Sequence, residues 1–161
     1  MPRLSRRTVL IGGGGVVAAA VAASVLLLGP KEYAPEPVFT EDGLAIRGYD
    51  PVAYFTDGRP VEGDADHSTE WHGATWRFAS DEHLALFLED PEKYAPAYGG
   101  FCAWAVAAKG KLYSTQPENW TIHEGRLYLN YNDDIQARWE QDIPGFISEA
   151  DRRWPKILDE S

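Results

Sequence analysis

Cysteine is almost missing from this chain of 161 residues; the one present is Cys102. A lone cysteine makes no internal disulfide, so packing rather than covalent staples holds the fold, and the thiol is free, metal-bound or paired with another molecule. Basic residues are scarce as well. Fifteen Lys and Arg face twenty-five Asp and Glu, and the formal net charge is −10. Phosphate backbones are repelled by such a surface, which argues against nucleic acid as a partner. The common catalytic and phosphate-cradling signatures are also missing: there is no GxGxxG, GxxxxGK[ST], HExxH, CxxC or GxSxG. Their absence removes the usual dinucleotide, P-loop, zinc-protease, thioredoxin-like and serine-hydrolase readings.

What is present is a globular composition. Apolar residues make up 44% of the chain, with six Trp, eight Tyr and six Phe, enough for a rigid aromatic core in one domain. The first thirty residues differ from the rest. They hold Arg3, Arg6 and Arg7, no acids, and an uncharged run from Thr8 to Gly29 closed by Pro30. A basic head before an apolar run is export-signal architecture, and Arg6-Arg7 resembles the twin-arginine signal, which implies export in a folded state to the periplasm or the outer face of the membrane. Ala20-Val21-Ala22 offers a cleavage site, while the length of the run suits a membrane anchor; both remain open. Residues 31–40, with Pro35 and Pro37, read as an extended tether, and residues 41–158 as the domain.

Within the domain the pattern predicts an α+β fold of small antiparallel hairpins packed with several short helices. Leu44–Ile46 alternates as a strand, and Gly48–Pro51 is a turn. Thr69–Trp71 and Ala74–Phe78 form a hairpin across His72-Gly73, and Trp120–His123 pairs with Arg126–Tyr131 across Glu124-Gly125. Ser80 caps a helix with Asp81 and Glu82 in its first turn and Leu84, Phe87 and Leu88 on its apolar face. Pro91–Tyr94 adds a helical turn. Cys102–Ala108 is a short helix ending at Lys109-Gly110, and the helices Asp134–Gln141 and Pro144–Trp154 close the chain, the last stopped by Pro155.

Cys102 is the sharpest chemical candidate, because thiolate is both a soft-metal ligand and a nucleophile. Its place at a helix start would lower its pKa through the free backbone N–H groups, and Gly99-Gly100 ahead of it permits a close backbone approach. The alternative is a packed, inert thiol, since cysteine is among the most buried residue types. His67, in the polar run Gly63–Glu70, and His72, at a hairpin turn, are the histidines that could join it; His83 and His123 read as ordinary.

Asp50-Pro51-Val52, His67, Gly73, the run Trp76–Ser80, Phe87 and Asp90–Tyr94 together resemble the YHS domain, a small module that accompanies copper-transporting ATPases and other metal-handling proteins. YGGFCAWAV, LYLNYN and RWEQDIPGFI extend the likeness to an exported YHS-like branch over roughly Leu44–Ile157. The resemblance implies metal binding through two cysteines, but Ala53 and Ala79 stand in those places. A relocated transition-metal site on Cys102, His67 and His72 is therefore the first functional expectation, with copper preferred and zinc second. Metal ion and another exported protein are the partners it implies. The rival expectations are a metal-free interaction module and, more weakly, a Cys-dependent redox protein.

Overall fold

The computed structural model describes residues 35–160, so the export segment of residues 1–30 and the first residues of the tether lie outside the described residues. The described chain holds six strands, in consecutive pairs, six α-helices and two short 3-10 helices. Strands β1 (Thr40–Glu41), β2 (Leu44–Ala45), β3 (Asp64–Trp71) and β4 (Ala74–Phe78) form one sheet in the order β1-β2-β4-β3. Strands β5 (Trp120–His123) and β6 (Arg126–Leu129) form a second, two-stranded antiparallel sheet. The helices are α1 (Ala53–Thr56), α2 (Asp81–Glu89), α3 (Pro91–Tyr94), α4 (Ala103–Lys109), α5 (Asp133–Trp139) and α6 (Ile143–Glu160). The α+β expectation holds, with a single parallel contact, Leu44 beside Thr75, joining β2 to β4.

Both hairpins follow from their turns. His72 and Gly73 have φ of 51° and 74°, and Glu124 and Gly125 have φ of 49° and 77°. Two consecutive positive φ values give the turn whose twist matches the flanking strands. The first hairpin is longer than its apolar pattern implies: β3 reaches back to Asp64 with a register irregularity between Asp64 and Ser68. His67 is therefore a strand residue rather than part of a run ahead of the hairpin.

Alternation along β6 divides the interior in two. Leu127 and Leu129 face a cluster with Trp76, Phe78, Phe87 and Tyr54, while Tyr128 faces a second cluster with Trp139, Val106, Ala150 and Trp154. Period-two side-chain placement makes this hairpin the wall between the two cores. Helix α2 covers the first. Ser80 caps it by accepting from the His83 amide at 3.2 Å, and Phe87 is wholly buried. Leu86 packs there beside Leu84, whereas Leu88, expected on that face, is 58% exposed.

Helices α4 and α6 cover the second core. Gly110 ends α4 in a left-handed conformation, as the Lys109-Gly110 pair implies. Helix α6 does not stop at Pro155 but runs on to Glu160. Proline removes one donor, yet Ile157 and Leu158 beyond it pack against the second core, and that burial keeps the helix continuous. Among the described residues no helix is long and apolar enough to cross a membrane.

The C-terminal half of the segment read as a tether is docked on the domain. The Phe39 amide donates to the Gly99 carbonyl at 2.9 Å, Phe39 meets the Phe101 ring at 5.9 Å, and Trp154 Nε1 donates to Glu36 at 3.3 Å. This accounts for the glycine pair. Gly99 has φ of 61°, and a Cβ there would overlap the Pro37 carbonyl oxygen. Only glycine lets the two backbones lie this close.

Candidate functional site

Two clusters of chemically capable side chains arise from this frame, and they are separate. The first is built on Asp50, which has no exposed surface. One carboxylate oxygen accepts from the amides of Val52 at 2.8 Å and Ala53 at 3.3 Å, capping α1. The other accepts from the Ala79 amide at 2.8 Å and from His83 Nδ1 at 2.6 Å. A buried carboxylate with four donors is fully satisfied, so it ties α1, the end of β4 and α2 into one unit. Ala53 and Ala79, the two positions where the resemblance implies cysteine, therefore converge on one carboxylate. Two backbone amides 26 positions apart in sequence are thus held by the two oxygens of Asp50.

His83, read from sequence as ordinary, is the outward face of this unit. With Nδ1 fixed by Asp50, its Nε2 lies 3.2 Å from Thr56 Oγ1 and 4.0 Å from Asp57 Oδ1. A carboxylate behind a histidine sets ring orientation, as in carboxylate–histidine–metal pairs, and it is also the order of a hydroxyl, histidine and carboxylate triad. Neither chemistry is completed here. The single Thr56 proton is shared among His83, the Val52 carbonyl and Asp57, and neither Thr56 nor His83 lines the clefts beside Tyr98 or Cys102. The signal that could have revealed His83 is the Asp-Pro-Val turn together with a histidine three residues beyond a helix cap.

The second cluster surrounds Cys102. Its amide donates to the Tyr113 carbonyl at 2.9 Å, and its Sγ–H lies 3.6 Å from Asn130 Oδ1. That oxygen also accepts from the Trp104 amide at 3.1 Å, and Asn130 Nδ2 donates to Gln136 Oε1 at 2.9 Å. Asn130 and Cys102 are both fully buried. Cys102 does precede a helix, but the expected lowering of its pKa is reversed. Burial raises the thiol above its ordinary value, and the nearby N–H groups of Ala105, Tyr131 and Trp104 only partly oppose this. The desolvation of a thiolate outweighs the dipole of a seven-residue helix.

Cys102 backs a cavity of about 300 Å³ walled by Trp104, Tyr113, Tyr131 and Ile135, with Lys109, Arg138 and Asp134 at its rim. No histidine lines it. His67 lies elsewhere, its Nδ1 2.9 Å from Asp81 Oδ1 on α2. His72 occupies the β3–β4 turn, its ring stacked 3.8 Å from that of Trp71, and borders a different cleft of about 540 Å³ beside Tyr98, Trp154 and the Arg126–Asp151 ion pair. The structure thus places Cys102, His67 and His72 in three different surroundings. Among the described residues no group of three or more His, Cys, Asp or Glu side chains is arranged to hold a metal ion. The donors around Cys102 fit a soft cation poorly, since Lys109 and Arg138 set positive charge beside the sulfur.

No curated protein and no solved structure matches the chain. The family model described as YHS domain matches residues 52–98, a span that runs from α1 through β3, β4, α2 and α3 to Tyr98. Val52, Ala53, Ala79 and His83, the partners of Asp50, all fall within it, while Cys102 falls outside. Over residues 52–98, and not over the rest of its length, the chain is therefore similar to the YHS domain.

Proposed function

We propose that the protein is an exported, non-enzymatic binding module of YHS type whose work does not depend on a bound transition metal. One observation carries this reading: the only thiol is sealed behind the wall of an aromatic cavity, with its proton on Asn130, while alanine stands at both positions where the family resemblance implies cysteine. A soft-metal centre needs exposed or convergent sulfur and imidazole donors, and here a buried sulfur shares its cavity with Lys109 and Arg138 and with no histidine. The same geometry disfavours a Cys-dependent redox or nucleophilic role, which requires a depressed thiol pKa and a neighbouring base. Export rests on Arg6-Arg7 and the apolar run after them.

A second reading, metal handling through histidine, has one observation in its favour. His83 presents Nε2 outward, with Asp57 beside it and Asp50 behind. It would replace the set Cys102, His67 and His72 with a different pair of ligands, and copper or zinc would need further donors from another molecule.

Elemental analysis separates the two. The full chain, isolated from the exported fraction without chelators, is compared with Cys102→Ser and His83→Ala, each before and after copper(I) or zinc is offered. Negligible metal in all three supports the binding module. About one metal per chain, lost in Cys102→Ser, overturns it in favour of the relocated thiol site; loss in His83→Ala favours the histidine reading. Recovery of the protein in the cytoplasm alone would refute export.

A further inference from the structure

The cavity over Cys102 has the composition of a ligand site. Most of the large aromatic side chains are buried or half-buried, but Tyr113 and Tyr131 are 37% and 43% exposed. They stand at this cavity with ring centroids 6.2 Å apart in an edge-on arrangement. Exposed aromatics gathered at one concave place mark binding surfaces more often than scattered ones do.

The cations point the same way. In a chain with an excess of acids, Arg47, Arg126, Arg152 and Arg153 all hold carboxylates. Lys109 and Arg138, like Arg59, Arg77, Lys93, Lys111 and Lys156 among the described residues, make no ion pair, but these two both lie against Trp104, with Lys109 Nζ 5.8 Å and Arg138 Cζ 5.7 Å from its ring centroid. Lys109 Nζ is also 5.0 Å from the Tyr113 ring. Two cations with no carboxylate partner, against the single rim carboxylate Asp134, leave local positive charge on an acidic molecule. Of the uncharged polar side chains lining the cavity, Asn132 has its Oδ1 engaged by the Ile135 amide at 2.9 Å, and the Cys102 thiol behind it is engaged with Asn130.

The geometry points to this cavity as a binding site for a small aromatic carboxylate, its ring system against Trp104 and the exposed surface of the tyrosine pair, its carboxylate at the rim on Arg138 and Lys109. Each part has a reason. A flat apolar body matches the aromatic walls, and a carboxylate matches the planar fork of arginine. A volume of about 300 Å³ suits one or two fused rings rather than a peptide segment. This assignment rests on the metal-free reading only in requiring that Cys102 stay unliganded.

The test uses 1-naphthoate as the probe, titrated calorimetrically into the full chain, with neutral 1-naphthalenemethanol and cationic 1-naphthylmethylamine beside it. Saturable binding of naphthoate is expected, with both comparison compounds weaker by about tenfold or more, the loss of one charge-assisted contact. The double variant Lys109→Met, Arg138→Leu changes two exposed side chains. It should lose naphthoate affinity by a similar factor while its unfolding midpoint and its response to the neutral alcohol stay the same. No saturable naphthoate binding at millimolar concentration overturns the assignment, as does equal affinity for the three compounds or an unchanged affinity in the double variant. Metal analysis of the same preparation keeps the two conclusions apart. Stoichiometric metal defeats the metal-free reading whatever naphthoate does, and a metal-free protein that ignores naphthoate defeats the pocket assignment alone.

Discussion

Replacing Asp50 tests whether the segment-spanning carboxylate organises the domain. In Asp50→Ala, three backbone N–H groups and the His83 ring lose their acceptor at a site without solvent. Loss of a helix cap costs about 1 kcal/mol, and each hydrogen bond to a charged group contributes roughly 1.5–3 kcal/mol. The contributions are not additive, and removal of one member of a buried ionic network typically costs about 3–5 kcal/mol, which is the expected loss. Against a typical domain stability of about 5–15 kcal/mol, that brings the fold close to its limit. Asp50→Asn keeps the shape but turns an NH₂ toward either the Val52 and Ala53 amides or the Ala79 amide, so about 1–3 kcal/mol is expected. Urea unfolding at pH 7, followed by tryptophan fluorescence, should show a lower midpoint at constant slope in the order wild type, Asn, Ala. An Asp50→Ala variant that loses less than about 1 kcal/mol would refute the reasoning.

Three further outcomes follow from the geometry. Gly99→Ala forces a methyl into the Pro37 carbonyl and requires a left-handed conformation, so it should cost about 2 kcal/mol or more and expose residues 35–39 to proteolysis; unchanged protease resistance would count against the docked segment. Cys102 should react with iodoacetamide at pH 8 many times more slowly in the native protein than in urea, because the thiol is buried and its pKa raised; equal rates would show that the sulfur is open to solvent. Tyr98 is buried and donates to Asp151 at 2.8 Å, so its phenol titrates well above its ordinary value, burial being the larger cause. Its stabilising contribution is complete below about pH 10 and is lost as pH rises further, because the unfolded chain ionises first. Urea midpoints should fall above that pH less steeply in Tyr98→Phe than in wild type, and parallel curves would remove Tyr98 from the account.

Local signals carried most of the elements. Ser80, Pro91, Gly110 and the His72-Gly73 and Glu124-Gly125 turns act within a few residues of themselves, so their consequences were readable along the chain. The errors came where distant packing decided the outcome. Pro155 is a helix breaker in isolation, and burial of residues beyond it reversed that effect. The direction of the Cys102 shift depended on a burial that no neighbouring residue announces. The Asp50–His83 pair spans 33 positions, so each partner looked unexceptional until the hairpin and α2 folded between them. Legibility of the site was lower than that of the fold for the same reason: Cys102 and Lys109 stand at the two ends of α4 and Arg138 on α5, and only the packing of these helices makes them a cavity.

Strand β3 carries a consequence for the protein in concentrated solution. It is the outer strand of its sheet, eight residues long, with one row of backbone groups left unpaired by β4, and such a border invites a second copy to add its own strand. Asp64, Asp66 and Glu70 line it as exposed residues, and the register irregularity between Asp64 and Ser68 interrupts the straight ladder that docking would need. Two such borders repel each other through their own carboxylates. The same excess of acid that weighs against polyanion binding thus also opposes pairing of two such borders, and neutralising those three side chains together would remove that repulsion and favour strand addition between copies.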